Sequence, residues 1–181
     1  MTVSFTPPLP AIVVPGVPVT LRPFEVGDLP LIAEASADSF IPKITSVPVV
    51  WSEQVGTDFS ERQWTRDRTG EGRSLAIEVD GSIVGQIGLW LRNAHKGRVE
   101  IGYWIAESGR GNGCAAEAVR MLSAWAFANL DIDRSSLFVE SRNEASIRTA
   151  VSAGYTREGI LQAWERVQGE TKDMLLFALV R

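Results

Sequence analysis

The stretch Gly102-Tyr-Trp-Ile-Ala-Glu-Ser-Gly-Arg-Gly-Asn-Gly-Cys-Ala-Ala-Glu-Ala-Val119 contains the pattern that decides the fold. Residues 99–105 are rich in β-branched and aromatic types, which predicts a strand. A glycine-rich run follows at 109–113, and small or apolar residues then recur with the spacing of a helix that buries one face. The stretch therefore predicts a strand, a tight turn and an amphipathic helix over 113–129.

The turn before this helix is suited to bind an anion. Its glycines allow a tight turn and leave the first N–H groups of the helix uncovered. These donors and the positive end of the helix dipole attract phosphate, and the guanidinium of Arg110 adds a matching fork of donors. Two nucleotide motifs do not fit: a dinucleotide fingerprint needs glycine at Cys114, and the Gly-Lys-[Ser/Thr] of a phosphate-loop ATPase is absent.

The rest of the chain predicts a mixed α/β domain with three consecutive antiparallel strands, joined at Asp80-Gly81 and at 93–97. The segment 39–50, with Pro42 and Pro48, is predicted to be an irregular loop. Residues 1–18 contain five prolines and are predicted to form an extended arm ahead of a single domain at 19–181. The predicted strands are 19–23, 74–79, 83–91, 98–105, 136–140, 157–167 and 172–180, and the predicted helices are 28–37, 52–68, 113–129 and 143–153.

Composition excludes several classes of protein. The chain has 181 residues, 45% hydrophobic and 22% charged, as in ordinary soluble domains. A net charge of −4 gives no support for a nucleic-acid or anionic-membrane binder. The single cysteine, Cys114, excludes an internal disulfide, and no second His or Cys supports a metal site. The prolines of the arm and its lack of a basic start argue against a signal peptide or a membrane span, so a cytoplasmic location is expected.

The motif Arg110-x-x-Gly113-x-Ala115, preceded by Glu100-Ile-Gly-Tyr-Trp-Ile105, resembles the acyl-CoA-binding core of the GNAT acetyltransferase superfamily. The resemblance continues in Glu117-Ala118, in Asn143-Glu-Ala-Ser146 and in Gly154-Tyr155. Similarity is greatest to the branch containing the ribosomal-protein N-terminal acetyltransferases. The residues that carry this similarity are Leu21-Arg22-Pro23, Asn143, Ser146 and Asp173-Met174.

This resemblance implies an α+β fold with three layers, α/β/α. Its central sheet is mostly antiparallel and splayed between the fourth and fifth predicted strands, 98–105 and 136–140. Acetyl-CoA is the implied cofactor, with its pantetheine arm in the gap beside the backbone of Trp104 and Ile105. The N–H groups implied to hold the pyrophosphate, with Arg110 beside them, are those of Gly111, Asn112, Gly113, Cys114 and Ala115.

The resemblance also implies roles in catalysis, where an amine attacks the thioester. Glu100 matches the position of a general base in some family members; the alternative is a solvated strand carboxylate or an ion pair with a neighbouring arginine. The N–H group of Trp104 is the expected oxyanion donor.

The helix beginning at Asn143 carries the remaining implied residues. The amide of Asn143 can reach the pantetheine, and Ser146 can approach the sulfur, although it could equally be an ordinary residue of the first helical turn. Some relatives place a tyrosine acid seven positions after the asparagine, where this chain has Ala150. Ser146 or water is therefore left as the group that protonates or stabilises the leaving thiolate.

The sequence thus predicts an N-acetyltransferase that moves acetyl to a primary amine by direct attack in a ternary complex, since no activated Cys or Ser nucleophile is visible. The acceptor is a protein N-terminus or a small amine. Its pocket is predicted to be lined by 39–50, the helix after Trp51 and strand residues near Trp90. Two alternatives remain at this point: a non-catalytic acyl-CoA sensor or partner-binding domain, and a plain nucleotide-binding module. The exposed terminal strand and the arm are compatible with a homodimer.

Overall fold

The computed structural model describes residues 10–167 and 169–181, which form one eight-stranded sheet with helices on both faces. Short 3₁₀ turns lie at Val26–Asp28, Ala94–Lys96 and Glu107–Gly109. The strands are β1 Ile12–Val13, β2 Val19–Arg22, β3 Gly72–Val79, β4 Ser82–Trp90, β5 Arg98–Ile105, β6 Arg134–Glu140, β7 Thr156–Val167 and β8 Glu170–Val180. The helices are α1 Leu29–Ala37, α2 Ile41–Ile44, α3 Glu53–Thr69, α4 Cys114–Asn129 and α5 Glu144–Ser152.

The strand order is β1-β2-β3-β4-β5-β6-β8-β7, and among the strand pairs of the described residues only β5–β6 is parallel. The predicted run of three antiparallel strands is confirmed as β3, β4 and β5. Asp80 and Gly81 join the first two with φ angles of 49° and 79°, as a two-residue hairpin turn requires. The mixed α+β class is therefore confirmed.

The sheet separates in its middle. β5 and β6 pair only where Arg98–Glu100 meets Arg134–Ser136. Beyond this point β5 continues along β4 as far as Ile105, and β6 continues along β8 as far as Glu140. The predicted splay is thus confirmed, and it leaves a gap between the C-terminal halves of β5 and β6.

Strand alternation supplies a separate core on each side of the sheet. On the side that we call the α4 face, Ile87, Leu89 and Ile101 belong to one buried cluster with Leu122 of α4. On the opposite side, the α3 face, Trp104 belongs to a second cluster whose other members include Ala76 of β3, Ile32 of α1 and Phe59 of α3. The two clusters confirm the three-layer arrangement.

Two segments differ in detail from the sequence-based expectation. The prediction that 39–50 is wholly irregular is wrong at α2, where Pro42 occupies the first turn and so costs no hydrogen bond. Asp38 Oδ1 accepts hydrogen bonds from the N–H groups of Phe40 and Ile41 at the start of this turn. In the predicted arm, β1 pairs with β2, while residues 1–9 lie outside the described residues. The predicted domain boundary at residue 19 stays a prediction.

No helix within 10–167 or 169–181 combines the length and the apolar character that crossing a membrane requires.

Asp67, near the end of α3, is a buried carboxylate that ties this helix to the sheet. Its Oδ1 accepts a hydrogen bond from the Ser74 N–H group of β3 at 3.3 Å. Burial raises the pKa of Asp67 from 3.8 to about 6, and the charge of Arg73 opposes that rise. Between these two pKa values the native chain holds a proton that the unfolded chain releases, so stability falls as pH rises through this window.

Asp67→Asn is expected to remove this pH dependence, because asparagine keeps the Oδ1 acceptor and does not titrate. Relative to the wild type, the free energy of unfolding of the variant should increase when pH rises from about 4 to about 7. Urea unfolding midpoints of both proteins at the two pH values measure this. The assignment would be contradicted if the stability of the variant relative to the wild type stayed constant, or fell, between these two pH values.

Candidate functional site

Two cavities meet at the gap between β5 and β6. The front cavity, about 560 Å³, lies on the α3 face, and the rear cavity, about 540 Å³, lies between α4 and α5. The front cavity contacts Lys43, Arg66 and Trp90, so the three regions predicted to line an acceptor pocket are represented. The residues that line both cavities are Phe40, Ile44, Tyr103, Trp104, Asn143 and Ser146.

The glycine-rich turn forms one wall of the rear cavity. Gly111 and Gly113 have φ angles of 88° and 78°, a region that favours glycine, and open space surrounds the position of a Cβ at each. Within the described residues, no acceptor is recorded for the N–H groups of Gly111, Asn112 and Gly113. The Cys114 N–H group instead donates to the side-chain oxygen of Asn112 at 3.2 Å. The donors of Gly111, Asn112 and Gly113 are therefore open to a ligand, that of Cys114 is used by Asn112, and Ala115 also lines the cavity.

Arg110 is held by protein groups. Its Nη2 pairs with Asp38 Oδ2 at 2.6 Å, and its Nε donates to the Ile105 carbonyl at 3.1 Å. The guanidinium thus connects the turn to the end of α1 and to the end of β5. Direct contact of Arg110 with a phosphate stays a prediction.

The backbone of β5 presents alternate residues to the gap. The Ala106 N–H group donates to Val84 on β4, and the Trp104 carbonyl points at β4, where it lies 2.3 Å from the position of a Cβ on Gly85. Since backbone directions alternate along a strand, the N–H groups of Tyr103 and Ile105 face the gap and that of Trp104 does not. In this register the backbone groups of Trp104 face β4, which differs from their predicted pairing with pantetheine and from the predicted oxyanion donor. The backbone groups of Ile105 face the gap, and their contact with pantetheine stays a prediction.

The side chain of Trp104 is fixed by a buried hydrogen-bond network on the α3 face. Its indole N–H donates to Gln86 Oε1 at 2.7 Å. Gln86 Nε2 in turn donates to Ser74 Oγ and to Gln63 Oε1, at 2.5 and 3.0 Å. Arg66 Nη1 also donates to Gln63 Oε1, at 3.1 Å. The network therefore links the strand at the gap to Arg66 on α3.

The first turn of α5 brings Asn143 and Ser146 to the gap, where the family resemblance implied that they lie. Asn143 Oδ1 accepts a hydrogen bond from the Ser146 N–H group at 3.0 Å and so caps the helix. The Ser146 hydroxyl accepts a hydrogen bond from the Tyr103 hydroxyl at 3.1 Å. Both predicted residues therefore lie at the junction of the two cavities.

Tyr103 is a site residue that the motif comparison missed. Burial raises the pKa of Tyr103, so its hydroxyl stays protonated at neutral pH. Ala150, the position of the family tyrosine, is fully buried and carries no polar group. Alternation along β5 places Tyr103 on the face opposite Trp104. Only the packing of β5 against α5 shows that its hydroxyl reaches Ser146.

Glu100 lies outside the lining of both cavities. It is half-buried, and its Oε1 accepts a hydrogen bond from Asn93 Nδ2 at 3.4 Å. In the described part of the chain it forms no ion pair with Arg92 or Arg98. The carboxylates that line the front cavity are Glu140 and Glu165. A base at Glu100 stays a proposal that requires water as an intermediary.

Comparison with known proteins agrees with this geometry. A family model described as an acetyltransferase (GNAT) domain matches residues 19–156. The uncharacterised N-acetyltransferase p20 of Bacillus licheniformis is 27% identical over 167 residues, which cover 90% of this chain and 93% of that protein.

Two solved structures share the fold. The microcin C7 self-immunity acetyltransferase MccE, in complex with acetyl-CoA and AMP, has a TM-score of 0.81 and 22% identity, covering 94% of this chain and 99% of that one. RimL, a ribosomal L7/L12 α-N-protein acetyltransferase in complex with coenzyme A, also has a TM-score of 0.81, with 20% identity and coverage of 94% and 97%. These two structures confirm the predicted fold, and the match to an acetyltransferase family, whose acyl donor is acetyl-CoA, supports the predicted cofactor. The chain belongs to the GNAT acetyltransferase family, and it is an N-acetyltransferase that uses acetyl-CoA.

Proposed function

We propose that this enzyme acetylates a primary amine, a protein N-terminus or a small amine, by direct attack within a ternary complex. The amine enters the front cavity, and acetyl-CoA occupies the rear cavity with its pantetheine arm in the gap. The observation that carries the proposal is the unpaired stretch of β5 and β6, because it connects a cavity on one face of the sheet to a cavity on the other.

The residues present fit this cofactor. Open space above Gly111 and Gly113 leaves room for a diphosphate beside N–H donors that have no partner among residues 10–167 and 169–181. The gap-facing backbone groups of Tyr103 and Ile105 suit an extended amide-containing arm, which would add to β5 as a further strand does. Bound acetyl-CoA supplies the activated acetyl group as a thioester.

The groups at the junction match the proton transfers of the reaction. The N–H groups of Tyr103 and Ile105 are the donors available to an oxyanion in the gap. The Ser146 hydroxyl, with Tyr103 behind it, can donate a proton to the departing sulfur. Glu100, acting through water, is the proposed acceptor of the amine proton. No covalent enzyme intermediate is required, since the amine displaces the thiol directly.

Thiol release from acetyl-CoA, measured across a panel of primary amines and N-terminal peptides, tests the function. We expect thiol release that depends on the amine, and thermal stabilisation by coenzyme A but not by ATP or NAD. Glu100→Gln should lower kcat at neutral pH without changing the affinity for acetyl-CoA, and raising the pH should reduce the deficit because the amine then loses its proton to solvent. If none of the amines in the panel supports thiol release, the proposal is contradicted. A wild-type kcat for Glu100→Gln would exclude that residue as the base.

A further inference from the structure

A tryptophan in the front cavity is seated on two glycines. Gly88 and Gly102 lie opposite each other on β4 and β5. A Cβ on Gly88 would lie 2.8 Å from the Trp90 ring and displace it, and a Cβ on Gly102 would lie 3.1 Å from the ring and crowd it. The guanidinium carbon of Arg66 lies over the same ring, 5.5 Å from its centroid. The Trp90 ring, lying over Gly88 and Gly102, thus forms a flat aromatic surface for one cation, which we call the platform.

Arg66 has few partners of its own in the described part of the chain. Its recorded hydrogen bond goes to the neutral amide oxygen of Gln63, and no carboxylate lies within ion-pair distance. The side chain is half-buried, and burial lowers the pKa of the guanidinium while Glu71 and Asp67 raise it from a distance. A guanidinium has five N–H donors, and one of those on Arg66 is used within the described residues, at the lining of the cavity.

The charges around the cavity suggest how an acceptor would be oriented. Glu140 lines the cavity near Asn143 and Ser146, at the open end of the gap where acyl transfer takes place. The platform lies nearer the closed end, because Trp90 is in register with Glu100, the last residue of β5 that pairs with β6. From Gly102 to Trp104 the distance along β5 is about 7 Å, the rise of two strand residues. A cationic end of an acceptor therefore fits near Glu140 and an anionic end fits near Arg66. Glu100, which is in register with Trp90, lies outside the cavity lining and accepts a hydrogen bond from Asn93, so water has to connect it to the amine at the far end.

We propose that Arg66 determines acceptor specificity by binding a carboxylate that the acceptor carries a short distance from its reacting amine. The inference rests on the proposed function and names the substrate class: amines that bear a carboxylate, rather than polyamines. Lys43 and Arg166 add positive charge to the lining of the same cavity, and Glu165 adds a second carboxylate. The carboxylate can belong to a small amino acid or to an acidic side chain near a peptide N-terminus.

Matched pairs of acceptors test the proposal on the wild-type enzyme. One pair is 4-aminobutyrate and its amide; the other is a peptide with Asp at its second position and the same peptide with Asn. We expect kcat/KM to be about 10- to 100-fold higher for the carboxylate member of at least one pair, as a charge-assisted hydrogen bond provides. The pair that shows the preference identifies the source of the carboxylate. Equal values in both pairs, or a best acceptor that is spermidine, would overturn the inference.

Arg66→Gln identifies the group responsible. We expect it to abolish the preference, because the KM rises much more for the carboxylate member than for the amide member. Arg62→Gln, an exposed arginine over Phe59 on the same helix, is the matched control and should keep the preference. Arg66→Lys, which retains charge without the planar fork, should keep only part of it.

If kcat/KM for the carboxylate member and for the amide member falls to the same extent in a folded Arg66→Gln protein, the inference is overturned. Folding is checked by the thermal shift with acetyl-CoA. Turnover of amines without any carboxylate preference would contradict this inference alone, whereas absence of turnover with every amine would contradict the proposed function as well.

Discussion

Gly113→Val is expected to weaken the binding of acetyl-CoA at least about 100-fold while the chain stays folded. Gly113 precedes α4 with a φ angle of 78°, which a β-branched residue adopts only under strain. Relief of that strain turns the N–H groups of the loop away from the rear cavity. Each charge-assisted hydrogen bond that is lost costs about 1.5–3 kcal/mol, so two of them account for the expected change. Isothermal titration with acetyl-CoA measures it.

Gly154→Val provides the control for backbone strain. Gly154 also has a positive φ angle, 89°, and open space around the position of its Cβ, but it lies outside the lining of both cavities. We expect the two variants to lower the melting temperature similarly and only Gly113→Val to lose affinity. If the affinity for acetyl-CoA survives in Gly113→Val, or is lost equally in both variants, the turn is not the diphosphate site.

Tyr103→Phe is expected to lower kcat about 100-fold with little change in the KM for acetyl-CoA, a magnitude typical of losing a general acid. The variant keeps the ring and removes only the hydroxyl that donates to Ser146. Without this donor, the Ser146 hydroxyl cannot pass on a proton and regain one. Steady-state thiol release over a range of acetyl-CoA concentrations separates kcat from KM.

Tyr155→Phe is the matched control, because Tyr155 is also a buried tyrosine whose hydroxyl contacts serines, at 2.8 Å from Ser123 and 2.6 Å from Ser135. It lies in the core, so its loss should reduce stability and leave kcat unchanged. Ser146→Ala and the double variant with Tyr103→Phe complete a cycle in which the two kcat losses should be far from additive, since both hydroxyls serve one proton transfer. Additive losses, or a normal kcat for Tyr103→Phe, would contradict this role.

The fold was predictable because its signals are local in the chain. The alternation in 98–105, the tight turn at Asp80-Gly81 and the apolar spacing of α4 each determine an element from neighbouring residues alone. The positions of Asn143 and Ser146 at the gap also follow from a short motif. Such features depend little on packing, and for this reason they survive in the structure.

The details of the site were not predictable because they depend on contacts between distant segments. Which β5 residues face the gap depends on the register with β4, and one residue of shift exchanges Trp104 for Tyr103. The pairing of Arg110 with Asp38 joins residues 72 positions apart. The position of Arg66 over Trp90 likewise requires α3 to be docked on the sheet.

A crystal structure of the enzyme with coenzyme A tests the central claim most directly. We expect the diphosphate at the N–H groups of the turn before α4, the pantetheine amides hydrogen-bonded to the backbone of Tyr103 and Ile105, and the thiol beside Ser146. Coenzyme A bound elsewhere, or a gap closed by hydrogen bonds between Ile101–Ile105 of β5 and Leu137–Glu140 of β6, would contradict the account.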